Sequence, residues 1–355
     1  MNKTHYKIIG VMSGTSLDGI DLAYIHFHFD TRWTFELIKM ETFGYSEAWV
    51  GILKNVVSHS SEALKAIDVD YTSYLSEVIN NFMSRHSITN IDAICSHGHT
   101  ALHEPNNGIT YQIGNQKALA KLTNNIVVCD FRVQDVALQG QGAPLVPIGD
   151  ALLFPEYDYC LNLGGFANIS FEDNGQRLAF DICPVNIVLN HYIQPLGFAF
   201  DDEGKMASLG KVNLKLLEVL NNLEFYNLKH PKSLGLEWVK KEVLPLIDAY
   251  KLETADILKT FVEHIAIQIS NVLIKKENAT LFISGGGAFN TYLISRIKAW
   301  SPNNKIVLPS NDIINYKEAL VFGLLGVLKM RNEVNCLSSV TGAKHDHSSG
   351  EIYLP

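Results

Sequence analysis

The chain has little of what marks extracellular, membrane and nucleic-acid-binding proteins. Its five cysteines, in 355 residues, are scattered and form no CxxC pair, which argues against a disulfide scaffold and a cysteine-based zinc site. The most apolar later stretch, from Ala319 to Leu328, is far shorter than the about 18 residues that suggest a membrane span. Lys and Arg number 29 against 37 Asp and Glu, a formal net charge of −8, so neither nucleic acid nor a membrane is an expected partner.

Targeting signals are lacking as well. The N-terminal residues MNKTHYKIIGVMSG contain no signal-peptide hydrophobic region, so we expect a cytoplasmic protein. Hydrophobic residues make up 47% of the chain, enough for large cores. At about 100–200 residues per domain, the length favours two domains.

Strand-like and helical segments alternate along the chain, which predicts an α/β protein with helix-covered sheets. Helical spacing is clear over residues 70–85 and over residues 254–276, where Thr254 is the candidate N-cap. The predicted strands are 5–12, 20–29, 91–96, 126–129, 159–163, 280–284 and 305–308.

A strand, a glycine turn and a second strand occur at residues 8–25 and again at residues 159–172. Either the chain is internally duplicated or these are two unrelated hairpins. Duplication would place the domain boundary near Asp130, giving domains 1–130 and 131–330, with residues 331–355 packing back on the first.

Glycine-rich turns follow or join predicted strands at residues 13–19, 163–166 and 284–290. Successive N–H groups in such turns can bind phosphate, although a single turn of this kind can be purely structural. Residues 140–142 and 285–287 lack the third glycine of GxGxxG, and no GxxxxGK[ST] motif is present. The pattern favours nucleotide binding without a P-loop or a Rossmann unit.

Candidate acids and bases have structural alternatives. Asp18 could hold a hydrated Mg²⁺ or support its own turn. Asp181 could be a general base or the N-cap of the next helix. The histidines His97, His99 and His103 favour hydrogen bonding over zinc, because no further ligand pair accompanies them.

A nearby segment, DFRVQD, contributes Arg132, which could bind a substrate carboxylate or pair with the neighbouring Asp130 and Asp135.

Nine motifs, in order, resemble the anhydro-N-acetylmuramic acid kinase family. They are GVMSGTSLDGIDLA, SHGHTALHEP, QIGN, DFRVQDVALQGQGAPLVP, NLGGFANISF, PKSLGLEW, ISGGGAFN, EALVFG and SVTGA, between residues 10 and 343. The resemblance implies the fold of sugar kinases, actin and heat-shock ATPases: two ribonuclease H-like domains with ATP in the cleft between them. It also implies that ATP, water and 1,6-anhydro-N-acetylmuramic acid become ADP and N-acetylmuramic acid 6-phosphate during peptidoglycan recycling.

Site residues follow from the same resemblance. Asp181 matches the catalytic base, and the substrate candidates are His97, Arg132, Asp135 and Gln141. Mg²⁺ would accompany ATP, with no other metal expected, and a homodimer is compatible with this reading. The nucleotide-binding candidates are Gly14, Thr15, Ser16, Leu17, Asp18, Gly19, Ile20, Asp21, Gly164, Gly165, Gly285, Gly286 and Gly287.

The chain departs from the family pattern at three places. Ile182 and Cys183 stand where the family usually has Thr-Gly. Gln139 stands where the family's glycine pair begins, and Asn190 stands where an acidic residue is usual. The alternative function is a nucleotide-binding, heat-shock-ATPase-like or regulatory protein without sugar kinase activity.

Overall fold

The computed structural model describes residues 3–14, 17–274 and 276–355. The chain divides into two units, Met1–Phe154 with Tyr316–Pro355, and Pro155–Asn315. This division differs from the expected boundaries near residues 130 and 330. Residues 131–154 and 316–330 pack with the first unit: a Cβ on Gly149 would lie 2.6 Å from the Val321 side chain, and one on Gly10 would lie 2.0 Å from the Ala319 carbonyl.

Two sheets contain the strands of the described residues. In chain order these are β1 (His5–Ser13), β2 (Ile20–Phe29), β3 (Trp33–Phe43), β4 (Ala93–Glu104), β5 (Ile109–Ile113), β6 (Val127–Cys129), β7 (Tyr159–Leu163), β8 (Phe166–Asp173), β9 (Gln176–Pro184), β10 (Thr280–Ser284), β11 (Lys305–Val307) and β12 (Glu351–Tyr353).

The two sheets share one strand order. In the first unit β1 pairs antiparallel with β2 and parallel with β4, and the full order is β12-β6-β4-β1-β2-β3 with β5 on β4. In the second unit β7 pairs antiparallel with β8 and parallel with β10, in the order β11-β10-β7-β8-β9. Five strands in each unit therefore have the same order, which is β3-β2-β1-β4-β6 in the first unit and β9-β8-β7-β10-β11 in the second. Numbered along the chain within each unit, with β5 and β12 left out, this order is 3-2-1-4-5, with three antiparallel strands and two parallel ones. This is the ribonuclease H-like arrangement, and it confirms the expected fold and the internal duplication.

Helices follow the strands in both units. They are α1 (Glu47–Lys54), α2 (Ser61–Arg85), α3 (Ala118–Thr123), α4 (Val133–Ala137), α5 (Val146–Leu153), α6 (Asn186–Ile193), α7 (Lys205–Leu209), α8 (Leu214–Asn221), α9 (Leu236–Trp238), α10 (Leu244–Asp248), α11 (Thr254–Leu273), α12 (Thr291–Trp300), α13 (Asn311–Met330) and α14 (Ser338–Thr341). A π-helical turn, Val239–Val243, connects α9 to α10.

The long helices follow their apolar spacing, but their first turns differ from the prediction. Helix α11 buries Ile257, Phe261 and Ile265 against the second sheet's core, and its N-cap is Glu253 rather than Thr254. Helix α2 begins nine residues before the predicted start, where Ser60 accepts a hydrogen bond from the Ala63 N–H. The apolar pattern is weaker in this part, because Leu64 and Ile67 are the only large apolar side chains of the first two turns.

Each unit has a hydrophobic core of its own. All five cysteines are buried, and they form no disulfide. Within the described ranges, no helix combines the length and the apolar character required to cross a membrane.

Candidate active site

The loop between β1 and β2 carries the first group of expected phosphate-binding residues. Gly14 follows β1 directly, and its carbonyl accepts a hydrogen bond from the Leu17 N–H at 3.4 Å. Leu17 has a left-handed backbone with φ of 62°, a conformation that is uncommon for a residue other than glycine. Thr15 and Ser16, also expected to bind nucleotide, lie outside the described residues.

The end of the same loop places two carboxylates near the start of β2. Gly19 and Ile20 are buried, whereas Asp18 is exposed. Asp21 accepts a hydrogen bond from Thr42 Oγ1 at 2.6 Å. Burial raises the pKa of Asp21, the Thr42 hydrogen bond opposes this, and the charge of Asp18 adds to it. Together the two side chains offer the oxygen ligands that Mg²⁺ prefers.

A hydrogen-bond network at the end of β1 was not anticipated from the sequence. Ser13 Oγ lies 2.6 Å from Tyr45 Oη and 2.8 Å from His99 Nδ1, and it accepts a hydrogen bond from Tyr71 Oη at 3.0 Å. Burial raises the pKa of Tyr45 to about 12 and lowers that of His99 to about 4, so these groups are neutral near pH 7. They fix the strand end from which the glycine loop starts. The two tyrosines lie outside the recognised motifs, so nothing in the sequence marks them as members of this network.

His97 and Arg132 form a directional pair. Arg132 Nε donates to His97 Nε2 at 2.8 Å, and His97 Nδ1 donates to the Gly98 carbonyl at 2.8 Å. Burial and the adjacent Arg132 charge lower the pKa of His97 well below its ordinary value, and burial lowers the pKa of Arg132 to about 10. Arg132 Nη1 donates to the Gly142 carbonyl at 2.6 Å. The guanidinium is therefore charged and held in one orientation.

The other histidines of this segment have separate partners. His99 contacts Ser13 as described, and His103 Nδ1 lies 3.0 Å from Thr110 Oγ1. The side chains of the three histidines are thus used in hydrogen bonds to different groups, which is the role that the sequence favoured over zinc.

Asp135 and Gln141 differ in accessibility. Asp135 is 0% exposed, and its Oδ2 accepts the Gly142 N–H at 2.7 Å while its Oδ1 accepts Thr341 Oγ1 at 2.7 Å. A completely buried carboxylate cannot touch a substrate in this conformation, so Asp135 fixes the loop after α4 instead of meeting the expectation of direct contact. Gln141 is exposed, and its N–H donates to the Thr341 carbonyl at 2.8 Å, so its side chain remains accessible.

Glu318 joins this group although sequence reasoning gave it no role. It lies in α13 and keeps an exposed surface, but the protein around it desolvates the carboxyl and raises its pKa. The Arg132 charge opposes that rise and the Asp21 charge adds to it. The first unit therefore collects Asp21, Arg132 and Glu318 in one neighbourhood. Glu318 is the first residue of the EALVFG motif, which contributed to the family resemblance but predicted no role for this side chain.

The glycine turns of the second unit lie side by side because β7 and β10 are neighbouring parallel strands. Gly285 has φ of 81°, and a Cβ there would lie 2.9 Å from the Leu163 carbonyl; one on Gly287 would lie 2.7 Å from Leu163 Cβ. Only glycine permits this approach without displacement. A Cβ on Gly286, in contrast, would meet no atom within 4 Å, so this residue faces open space.

The turn that follows β7 is tied to α6. The Gly165 carbonyl accepts the Val185 N–H at 2.8 Å, and the Gly164 carbonyl accepts the Asn186 N–H at 3.3 Å. Gly165 and Gly286 are exposed, so the two turns present backbone without side chains at these positions, at the carboxyl ends of the parallel strands, which suits phosphate.

Asp181 lies inside β9, opposite Asn168 of β8. Its Oδ2 accepts the Leu234 N–H at 2.8 Å, and no group in the described parts of the chain donates to Oδ1. Burial raises the pKa of Asp181, and the Leu234 hydrogen bond partly opposes the rise. The side chain is thus a half-buried carboxylate with one oxygen anchored and the other available, as a general base requires.

The structure excludes the alternative role of Asp181 as a helix cap. Helix α6 begins at Asn186, and its N-cap is Val185. The strand register shifts beside Asp181, so that Asp181 pairs with Asn168 whereas Cys183 pairs with Ala167. Cys183 is 0% exposed and belongs to the hydrophobic core. The departure from the family pattern at this position therefore places its thiol in the core.

The similarity to known proteins agrees with this arrangement. The family model for anhydro-N-acetylmuramic acid kinase matches residues 6–355. The chain belongs to the anhydro-N-acetylmuramic acid kinase family. Family members named anhydro-N-acetylmuramic acid kinase include one from Xylella fastidiosa, 33% identical over 97% of this chain and 95% of that protein, and one from Shewanella putrefaciens, 34% identical over 98% of this chain and 97% of that protein.

Solved structures of lower similarity were also found. An activator of 2-hydroxyisocaproyl-CoA dehydratase from Clostridium difficile with bound ADPNP is 13% identical with a TM-score of 0.47, covering 92% of this chain and 96% of that one. A ROK family glucokinase from Streptomyces griseus with glucose and AMPPNP is 10% identical with a TM-score of 0.39, covering 90% and 99%. The strand order of the two sheets, and not these likenesses, defines the fold.

Proposed function

We propose that this protein is an ATP-dependent kinase that opens 1,6-anhydro-N-acetylmuramic acid with water and phosphorylates it to N-acetylmuramic acid 6-phosphate. The observation that carries the proposal is the family match over residues 6–355, joined to a half-buried Asp181 whose pKa is raised. In this role the enzyme would act in the cytoplasm, in the recycling of cell-wall peptidoglycan.

Asp181 is the proposed general base. Its free Oδ1 takes a proton from water while the water oxygen forms a bond to the anomeric carbon of the sugar. The bond from that carbon to the bridging oxygen at position 6 breaks, and this oxygen takes the γ-phosphoryl group, so that ADP leaves. The hydrogen bond from Leu234 to Oδ2, at 2.8 Å, keeps the carboxylate in one orientation throughout.

The glycine loops of both units are the proposed phosphate contacts. Gly14 in the first unit, and Gly165 and residues 285–287 in the second, have no side chain that would keep phosphate from the backbone N–H groups. Gly164 shapes the second turn instead, because its N–H donates to the Phe166 carbonyl at 3.1 Å. Asp18 and Asp21 supply the oxygens that would hold Mg²⁺, which neutralises phosphate charge when bound.

Arg132 is the proposed contact for the carboxylate that the lactyl group of muramic acid carries. Its guanidinium is oriented by His97 and the Gly142 carbonyl, at 2.8 Å and 2.6 Å, and it is charged at neutral pH. A planar, fixed guanidinium is suited to a carboxylate. Gln141 is exposed and accessible for a further hydrogen bond to the sugar. Asp135 stabilises the loop that contains Gln141 and Gly142 by accepting the Gly142 N–H.

The test is incubation of the full chain with ATP, Mg²⁺ and 1,6-anhydro-N-acetylmuramic acid, followed by mass analysis of the sugar. We expect a product heavier than the substrate by one water and one phosphoryl group, with ADP formed in equal amount. ADP formation without a change in the sugar, or nucleotide binding without turnover, would instead support the nucleotide-binding protein without sugar kinase activity.

A further inference from the structure

Three side chains from distant parts of the sequence meet in the interior of the first unit. Cys336 and His347 face each other across a short antiparallel bridge in which each N–H donates to the other's carbonyl at 3.1 Å. Asp135 approaches them from α4. The exposed fractions are 0% for Asp135, 1% for Cys336 and 6% for His347, so the cluster is shielded from solvent.

The potential ligand atoms of this cluster are close enough to share one ion. Cys336 Sγ lies 3.0 Å from Asp135 Oδ1, and His347 Nε2 lies 3.6 Å from the same oxygen. One sulfur, one nitrogen and one carboxylate oxygen lie within 4.8 Å of one another. At ligand distances of about 2.0–2.3 Å, a tetrahedral zinc site separates its ligand atoms by about 3–4 Å, so only small movements would be needed.

The orientation of His347 supplies an independent observation. Its Nδ1 donates to the His345 carbonyl at 3.1 Å, because a carbonyl can only accept. The other ring nitrogen, Nε2, is buried and has no hydrogen-bond partner among the described residues. It lies 3.6 Å from the Asp135 carboxylate oxygen, so a cation bound between the two atoms would give both a partner. Donation from the second ring nitrogen to a carbonyl is also how metal-binding histidines are commonly held.

We infer that Asp135, Cys336 and His347 bind a zinc-type divalent cation. Sulfur, imidazole nitrogen and carboxylate oxygen are the ligands of zinc in proteins. On binding, the Cys336 thiol loses its proton to solvent and the thiolate forms a bond to the metal. Without the metal, burial raises the pKa of Cys336, so the thiol is neutral and donates to Asp135.

The site would join α4 to the segment that follows α13. Thr341 Oγ1 and the Gly142 N–H donate to the two oxygens of Asp135, both at 2.7 Å, and they would orient this ligand as neighbours of metal ligands do. The sequence did not reveal the site, because Asp135 and Cys336 are 201 positions apart and Cys336 belongs to no CxxC pair. The inference does not depend on the proposed kinase activity.

The experiment is metal titration of the chelator-treated full chain with Zn²⁺, and with Co²⁺ as a spectroscopic probe. We expect one ion per chain and a thiolate-to-cobalt charge-transfer band. Cys336→Ser should abolish the band, and His347→Gln should weaken binding at least about tenfold. The control is His345→Gln, an exposed neighbour whose side chain is outside the cluster, and it should bind like the wild type.

Two results would overturn the inference. One is less than stoichiometric Zn²⁺ on the wild type; the other is Co²⁺ binding without the thiolate band. Both are measured on the wild-type protein, so they decide the matter even when a variant fails to fold. Equal Zn²⁺ affinity of a folded His347→Gln variant would also contradict it, since the buried Nε2 would then contribute nothing.

Discussion

At the scale of the residue, Asp181 combines three properties that a general base needs. It is partly buried, its pKa is raised by that burial, and one of its oxygens is fixed by the Leu234 N–H. A raised pKa strengthens the carboxylate as a base. The same anchoring hydrogen bond limits the directions from which water can approach it.

Replacement of Asp181 by Asn should separate chemistry from binding. Asp181→Asn keeps the size of the side chain and its acceptor for the Leu234 N–H, but it cannot take a proton from water. Loss of a positioned base typically lowers the rate by about 10²–10⁴-fold. We expect kcat to fall by this amount while the Kd for ATP changes little, measured by steady-state kinetics and nucleotide titration.

The matched control is Asp173→Asn, an exposed aspartate at the end of β8, which should behave like the wild type. Wild-type kcat in Asp181→Asn would refute the role of Asp181 as base. The wild-type kcat/KM should also fall as the pH drops, with an apparent pKa above the ordinary aspartate value of 3.8, because only the ionised carboxylate accepts the proton.

Buried neutral histidines should make stability depend on pH. The pKa of His99 is lowered from 6.5 to about 4 in the folded chain. Between those values the unfolded chain binds a proton that the folded chain does not, so stability falls as the pH falls through this window. We expect His99→Gln, which retains a hydrogen-bonding group for Ser13, to have a shallower decline.

The measurement is the free energy of unfolding by urea at intervals from pH 7.5 to pH 4. The wild type and His99→Gln should differ in slope by up to about 1.4 kcal/mol per pH unit inside the window, the value for one proton. Parallel pH dependences would contradict this, because they would mean that the pKa of His99 is the same in the folded and the unfolded chain.

At the scale of the element, the glycines of the turn after β10 differ in what surrounds them. Gly285 and Gly287 allow the turns to touch, since added Cβ atoms would lie 2.9 Å and 2.7 Å from Leu163. Gly286 faces open space, so its lack of a side chain serves no packing purpose within the described residues. We attribute it to the approach of a ligand.

Gly286→Val should therefore weaken ATP binding with little effect on folding. The branched side chain meets no protein atom within 4 Å at its Cβ, but it would occupy space proposed for the nucleotide. We expect the Kd for ATP to rise at least about tenfold, equivalent to about 1.4 kcal/mol, with a melting temperature close to that of the wild type.

Gly51→Val is the control for this change. Gly51 lies in α1, where an added Cβ also meets nothing within 4 Å, so its effect on ATP binding should be negligible. If both variants bind ATP like the wild type and are folded, the turn of Gly286 is not a nucleotide contact.

Apolar periodicity predicted those strands and helices whose own residues show a clear pattern. Strand β2 was predicted with its observed ends, and α11 was predicted from its apolar spacing with a C-terminal end three residues too far along. Short strands such as β12 were not predicted, because three residues without clear alternation form a strand only through pairing with β6. Helix α4 was not predicted either, because its five residues are too few to show an apolar period.

The residues of the candidate site were named from the sequence, but their contacts were not. Asp181 was named because it matches the family's catalytic base and the glycines because they lie in the motifs, whereas the hydrogen bond from Leu234 to Asp181 joins residues 53 positions apart. The role of Asp135 was misread for a similar reason, because its burial depends on the segment containing Thr341 and Cys336. Local sequence carries no information about such partners.

At the scale of the whole molecule, the repeated strand order accounts for the division into units. The second unit is a continuous stretch, Pro155–Asn315, whose five-stranded sheet and hydrophobic core belong to it alone. The first unit is discontinuous, because its chain leaves after Phe154 and returns at Tyr316.

The continuous unit should therefore fold by itself. A fragment comprising Pro155–Asn315 retains all the residues of its core cluster and should give a cooperative thermal transition, followed by circular dichroism. The complementary fragment Met1–Phe154 lacks α13 from Tyr316 onward and strand β12, and should not. A non-cooperative transition for Pro155–Asn315 would show that its core needs the rest of the chain.

The central claim is that water opens the anhydro bond while the released oxygen takes the phosphoryl group. The most direct test is turnover of the full chain with ATP and 1,6-anhydro-N-acetylmuramic acid in water enriched in ¹⁸O. A parallel incubation of unlabelled product measures the background exchange at the anomeric carbon. The account predicts ¹⁸O on the sugar of the phosphorylated product above that background, and none in the phosphoryl group. Label in released inorganic phosphate, with the sugar unchanged, would contradict it.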